Sequence, residues 1–479
     1  MKVLFVASEA HPFIKVGGLG DVAYALPKAL RKIGVDARVI LPKYGTIKEH
    51  FKNQMYTVSE LGVPVGWRNQ YCGLQAMEFD GVPFYFIDNE YYFKRPGAYG
   101  YYDDGERFAF FDRAVLEAIA YMGDFRPDII HCNDWHTGMI VPVLNRYFRG
   151  RRDYANIRTV FTVHNLQYQG VFSDSVLNEL LNLDGSYYNE NALKHFDGVS
   201  FMKGGLNFAD AITTVSETYA EEIKTPYFGE GLHGLLESRK WDLRGIVNGI
   251  DNDVFNPSTD NNLFSHYDEE NLEGKAVNKL ELQKQLNLPI NEHIPMIGMV
   301  TRLVNQKGLD LVCHIAEELL QQDIQLVVVG TGDKRYEDTF KYFQWKYPHK
   351  VSANIFYDNN LAQKVYAGSD MFLMPSLFEP CGIGQLIALR YGSVPIVRET
   401  GGLKDTVTPL NEFSEKGNGF SFTNYNAHDM LYTINRALDF YNNHKDVWHN
   451  LVVRGMREDN SWGKSACKYL EMYNWLVNR

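Results

Sequence analysis

Short runs of consecutive apolar residues, rich in Val and Ile and lacking polar alternation, recur along the chain, each followed by a stretch of helical periodicity. Nothing else constrains the fold as strongly. A strand that is apolar on both sides needs cover on both faces, and helices following each strand supply it in a parallel sheet. The first half places such strands at 2-7, 35-41, 82-87, 128-132, 159-164, 211-215 and 244-247. Residues 19-33 put Val22, Ala25, Leu26, Ala29, Leu30 and Ile33 on one helical face with Pro27 among them. An interior proline costs about 3 kcal/mol unless the helix bends, so a kink is expected there. The pattern pauses near residue 250 in the polar stretch DNDVFNPSTDNN, which reads as a linker. It restarts with strands at 294-301, 325-330, 353-357, 370-374 and 394-398, and helices at 307-321, 333-345, 361-367 and 383-391. Two βα series in 479 residues predict an α/β protein of two Rossmann-like, doubly wound domains, 1-250 and 251-460, facing across a cleft. Ligands of such sheets bind at the carboxyl ends of the strands.

Composition narrows the function. Lys and Arg total 48 against 59 Asp and Glu, a net charge of -11, which argues against a nucleic-acid binder and requires any anionic ligand to meet a local cluster of cations. Five cysteines without a CxxC pair indicate neither a disulfide framework nor a zinc site, and fit a reducing, cytoplasmic setting. No apolar run approaches the roughly 20 residues needed to span a bilayer, so no membrane partner is expected. Aromatics reach 14%, with 30 Tyr and 29 Phe, more than core packing obviously requires.

Four segments carry chemistry. Lys15-Val16-Gly17-Gly18-Leu19-Gly20-Asp21 lies between the first strand and its helix, where glycine amides and the Lys15 charge suit a phosphate. Arg302 and Lys307 stand five residues apart after the strand 294-301; each cation about 4 Å from a unit negative charge gains roughly 4 kcal/mol at an effective dielectric near 20. Together they suffice for a diphosphate leaving group without a metal ion. Glu379 and Cys381-Gly382 sit just before a helix start, where a carboxylate and backbone amides converge. His136 is expected to open a helix and reach the cleft, and His164 ends a neighbouring strand. Asp251-Asn252-Asp253 spells DxD, but turn formation explains it better than a metal site. Cofactors are therefore expected to be none.

Taken in order, SEAHPFIKVGGLGDV, HCNDWHTG, FTVHN, VNGID, TRLVNQKG, FEPCGIGQ, ALRYG and ETGGL resemble the bacterial glycogen synthase and plant starch synthase family over essentially the whole chain. The resemblance implies the GT-B architecture, a final helix (461-479) crossing back to the first domain, and retaining transfer of glucose from ADP-glucose to the non-reducing 4-OH of an α-1,4-glucan such as glycogen. It further implies Lys15, Gly17 and Gly18 near the donor phosphate, Arg302 and Lys307 on the departing diphosphate, and Glu379 and His164 against the donor glucose. Asp21, Asn248 and Tyr357, with Cys381 and Gly382, match positions near the donor or nucleotide. The choice of ADP over UDP rests on the resemblance alone. One departure is Gly384, where many members carry a small hydroxyl or amide residue.

Two other readings stay open at this level: a glucan-binding protein without activity, and another sugar-nucleotide enzyme such as an epimerase. The intact set Lys15, Arg302, Lys307 and Glu379 favours the transferase. Residues 84-111 concentrate the aromatic surplus. Tyr91, Tyr92, Tyr99, Tyr101 and Tyr102 crowd a loop with Pro96, where packing is a poor explanation. Tyr91, Tyr99, Tyr101 and His136 are thus expected to contact the apolar faces of the glucan acceptor.

Overall fold

The computed structural model describes residues 1–479, which divide into two compact units: Met1–Asn248 with Trp462–Arg479, and Gly249–Ser461. In chain order the first unit begins with β1 (Lys2–Val6), β2 (Asp36–Pro42), β3 (Tyr56–Val65), β4 (Arg68–Phe79), β5 (Val82–Asp88), β6 (Ile129–Asn133) and β7 (Arg158–Val163). A small three-stranded sheet of β8 (Val171–Phe172), β9 (Lys194–His195) and β10 (Gly198–Ser200) follows, then β11 (Ala211–Thr214) and β12 (Leu243–Gly245). The large sheet is ordered β12-β11-β7-β6-β1-β2-β5-β4-β3. From β12 to β5 every pairing is parallel, as the continuous apolar runs require.

The hairpin β3–β4 is not predicted by the apolar-run pattern. It pairs antiparallel within itself and with β5, and extends the sheet beyond its parallel part. Its strands interleave exposed and buried residues, as at an antiparallel edge with one solvated face, so no continuous apolar run marks them. The turn itself is tight. Val65 pairs with Arg68 across Gly66, whose φ of +57° and close approach to the Glu179 carbonyl (1.9 Å from an added Cβ) leave room for no side chain.

The helix Gly18–Lys32 runs unbroken across Pro27 and buries its Val22, Ala25, Leu26, Ala29 and Leu30 face. At the far end of the sequence, the helix Trp462–Val477 belongs to the first unit's core, with Trp462, Ala466, Tyr469, Met472, Tyr473 and Leu476 buried. Each such large side chain contributes roughly 1.5–3 kcal/mol. Its polar contacts are specific: the Ser465 hydroxyl donates to the Val247 carbonyl (2.6 Å), and the Tyr473 hydroxyl meets His131 Nδ1 (2.6 Å).

The second unit contains β13 (Met296–Val300), β14 (Gln325–Val329), β15 (Val351–Asn354), β16 (Met371–Met374), β17 (Val394–Arg398) and β18 (Phe420–Phe422), wholly parallel in the order β15-β14-β13-β16-β17-β18. β18, three residues long with a polar residue at its centre, carries no apolar run that would predict it. Strand order reverses at β1 in the first unit and at β13 in the second, and such switch points put the loops after neighbouring strands side by side. No helix is long and apolar enough to cross a membrane.

Candidate active site

In the second unit the loops after β13 and β16 meet. Lys307 Nζ lies 2.6 Å from Glu379 Oε2, and the Ser376 hydroxyl donates to the same oxygen (3.0 Å). The side chains keep 16% and 9% of their exposure, so the pair is largely withdrawn from water without being sealed from it. Backbone contacts set its geometry. Gly308, at φ +69°, is where an added Cβ would stand 2.0 Å from the Pro375 carbonyl, so a glycine after Lys307 is what lets the two loops touch. The Leu377 N–H donates to the Gln306 carbonyl (2.9 Å), and Gln306 Nε2 to the Phe378 carbonyl (3.2 Å). From β17, the Arg398 guanidinium donates to the Leu377 carbonyl (2.6 Å) and the Gly402 N–H to the Glu379 carbonyl (3.2 Å).

Arg302 is exposed, with no hydrogen bond or ion pair to its guanidinium, and so presents an uncompensated charge. Cys381 is buried and Gly382 has φ +74°; the Gln385 amide donates to both their carbonyls (3.1 and 3.0 Å). Tyr357 is exposed, its hydroxyl 3.3 Å from Asn359 Oδ1. Asp251 Oδ1 accepts the Asp253 N–H (2.9 Å), the turn expected of that triplet. No group of three or more His, Cys, Asp or Glu side chains is arranged to hold a metal ion.

The first unit assembles a second cluster at the ends of β1, β6 and β7. Lys15 Nζ pairs with Asp21 Oδ1 at 2.8 Å, both partly exposed. Gly18 opens the helix. The Gly17 N–H is already engaged: it donates to Glu9 Oε2 (3.2 Å), which also accepts the Val16 N–H. Glu9, 3% exposed, was missed because a carboxylate serving backbone amides leaves no sequence pattern. Asn248 is buried, with an amide oxygen that has no hydrogen-bond partner.

His164 Nε2 lies 2.9 Å from Asn133 Oδ1. Because the Asn133 amide nitrogen donates to the Val6 and His131 carbonyls (3.0 and 3.2 Å), its oxygen faces the imidazole, so Nε2 carries the proton and Nδ1 is left as an acceptor. Burial holds this histidine neutral, pushing its pKa down to about 3. Its own N–H donates to Asp134 Oδ1 (2.8 Å). Burial raises the Asp134 carboxyl to about 7, against the lowering effect of the backbone N–H groups of His164 and Asn165. The ionised form grips those amides best, so activity is expected to fall as pH drops through about 7. Asp134→Asn should flatten that acid limb in a pH profile of turnover; an unchanged profile would remove Asp134 from the account.

His136 does not reach an open face. It lies in the 3₁₀ turn Trp135–Thr137, stacked on Trp135 (4.0 Å), against Phe108 (4.7 Å) and Tyr99 (4.5 Å), and burial lowers its pKa to about 3. Tyr91 and Tyr92 lie not in a loop but in the short helix Glu90–Phe93, and Tyr92 and Tyr101 are packed inward. Tyr92 is fully buried with its hydroxyl on Glu106 (2.6 Å), and the Tyr101 ring covers the Arg107 guanidinium at 4.8 Å while its hydroxyl accepts the Gly97 N–H (2.8 Å). Fully buried Arg107, bonded to the Tyr92 and Ala98 carbonyls and to Asp104, organises this loop. Tyr91 and Tyr102 remain 68% and 96% exposed.

Two doubly wound units, the second with cations and a carboxylate at its strand ends, are the parts of a glycosyltransferase of the GT-B architecture, and the solved structures this chain resembles are of that class. The catalytic domain of starch synthase IV from Arabidopsis thaliana, solved with ADP and acarbose bound, superposes with a TM-score of 0.92 at 35% identity, covering 100% of this chain and 99% of that one. Sucrose-phosphate synthase from Thermosynechococcus elongatus (TM-score 0.62, 18% identity, 100% and 99% covered) shares the fold. The starch synthase catalytic domain family matches residues 2–238, and glycosyl transferases group 1 matches 281–449. Glycogen synthases from Clostridium acetobutylicum and Clostridium novyi are 66% and 62% identical, covering 99% and 100% of both chains. The chain belongs to the glycogen synthase and starch synthase family.

Proposed function

We propose that this chain is a retaining glucosyltransferase that moves glucose from ADP-glucose to the non-reducing 4-OH of an α-1,4-glucan, releasing ADP. The observation that carries the reading is the Lys307–Glu379 pair at the switch point of the second unit, with the exposed charge of Arg302 on the same loop after β13 as Lys307. Arg302 and Lys307 stabilise the negative charge growing on the departing diphosphate, in place of a divalent cation. Glu379, already held by Lys307 and Ser376, favours the positive charge developing at the anomeric carbon. Engaged in this way, it is poorly disposed to attack that carbon as a nucleophile, as the second carboxylate of a retaining hydrolase does.

Retention then follows from a same-face exchange. The bond from the anomeric carbon to the phosphate oxygen breaks as the bond to the acceptor 4-oxygen forms, and the acceptor's proton passes to the departing phosphate. Trapping a covalent glucosyl-enzyme would exclude this route. In the first unit, Lys15 supplies charge to the donor phosphate, and neutral His164 lends a hydrogen-bonding ring to the donor sugar. Asp21, Asn248 and Tyr357 belong to the donor side in this reading, with the Cys381–Gly382 backbone.

Acceptor recognition is assigned to the exposed ring of Tyr91 in the short helix Glu90–Phe93, with Tyr101 packed in the loop that follows and Tyr99 packed there against His136. A single aromatic face contributes roughly 0.5–1.5 kcal/mol, so Tyr91→Ala should raise the KM for glucan up to about tenfold and leave the KM for donor alone. An unchanged glucan KM would make Tyr91 an incidental surface residue. The donor assignment is tested by glucan extension with ADP-glucose and UDP-glucose side by side: preference for ADP-glucose is expected, and equal use of both would restrict the proposal to a nucleotide-sugar donor.

A further inference from the structure

We infer that Glu9 is a positioning residue for Lys15: its buried carboxylate takes the backbone amides that follow Lys15 and thereby fixes where the ammonium stands. The inference rests on the donor-phosphate role proposed for Lys15. Glu9 leaves the sheet just after β1, and its Oε2 turns back to accept the N–H groups of Val16 and Gly17. The chain between is closed by its own bonds, from His11 N–H to the Gly20 carbonyl (2.9 Å) and from Ile14 N–H to the Ala10 carbonyl (3.1 Å). Lys15 is the residue directly before the first of the two amides held.

Its side chain is confined as well. Gly20 presents only hydrogen to it, since an added Cβ would stand 3.2 Å from Lys15 Cγ and 3.3 Å from its Cα. From that position Nζ reaches Asp21 at 2.8 Å. Amides converging on one point are what an incoming anion would use. Here the protein's own carboxylate occupies them, so the loop offers the donor the Lys15 charge, and these two amides serve to aim it. A carboxylate at 3% exposure, pushed up in pKa by its burial, is an expensive way to close a loop unless the closure matters.

The test is a set of variants assayed for donor KM, glucan KM and turnover. Glu9→Ala should raise the donor KM about tenfold while leaving the glucan KM within about twofold. Glu9→Gln, whose amide oxygen still accepts both N–H groups, should bring the donor KM back to within about threefold of the parent. In a Lys15→Ala background, Glu9→Ala should add less than about twofold, because a residue acting through Lys15 has nothing left to act on. Equal losses in Gln and Ala, an unchanged donor KM in Ala, or full additivity with Lys15→Ala would each overturn the inference. Should Glu9→Ala fail to fold, Glu9→Asp, whose carboxylate is set back by one methylene from the two amides, takes its place in the same comparison with Gln and with Lys15→Ala. A parent enzyme that releases no ADP from ADP-glucose and glucan would instead contradict the proposed function, which separates the two failures.

Discussion

Lys307→Ala is expected to lower turnover by about 10²–10³-fold while glucan affinity changes by less than about twofold. The size follows from Coulomb's law: a cation about 4 Å from a unit negative charge is worth roughly 4 kcal/mol at an effective dielectric near 20, and each 1.36 kcal/mol is about tenfold in rate. Part of that is retained through Arg302, which shares the load. Charge on the diphosphate is greatest as it leaves, so the loss should fall on turnover more than on substrate binding. Equal losses in turnover and in glucan affinity would contradict a role on the leaving group.

Glu379→Gln is the second large effect. The amide nearly preserves shape and still offers an oxygen to Lys307 and Ser376, but removes the negative charge facing the anomeric carbon. Removing a single preorganised electrostatic group of this kind costs about 10²–10³ in turnover. The variant also leaves Lys307 without its counter-ion at 2.6 Å. Breaking a fully buried pair costs roughly 3–5 kcal/mol of stability, and less is expected here because both side chains keep some exposure. Because the two residues act as a unit, Lys307→Ala combined with Glu379→Gln should be little worse than the poorer single variant. Simple multiplication of the two losses would show that they act independently.

Much of this site was legible in the sequence, and the parts that were not share a cause. Lys307 and Glu379 each stood out as a charge at the end of an apolar strand, yet nothing in their spacing says that they touch. That contact depends on β13 and β16 being neighbours, and on Gly308 removing the side chain that would keep the loops apart. Apolar runs mark most of the parallel strands because those strands are buried on both faces; β18, only three residues long, leaves no such run, and β15 lies two to three residues ahead of the run at 353-357. The hairpin β3–β4 stayed hidden because one face meets solvent and its pattern is mixed.

The loop tyrosines show the opposite error. Composition and Pro96 made residues 91–102 look like an aromatic surface, whereas Arg107, concealed within a helical pattern, gathers the loop's carbonyls and draws Tyr92 and Tyr101 inward. A residue that acts by collecting backbone groups is silent in sequence, and the same holds for Glu9. Glycines in KVGGLG point to a place for an anion, but give no hint that the protein's own Glu9 takes two of the amides there.

The central claim is that glucose leaves a nucleotide and joins a glucan chain in one coupled event. It is tested most directly by incubating the enzyme with ADP-glucose and a maltooligosaccharide of defined length, then measuring released ADP and the product mass ladder together. The account predicts one added glucose unit for every ADP released, in a new α-1,4 linkage, with no release when the oligosaccharide is withheld. ADP released without chain growth, or growth through an inverted linkage, would contradict it.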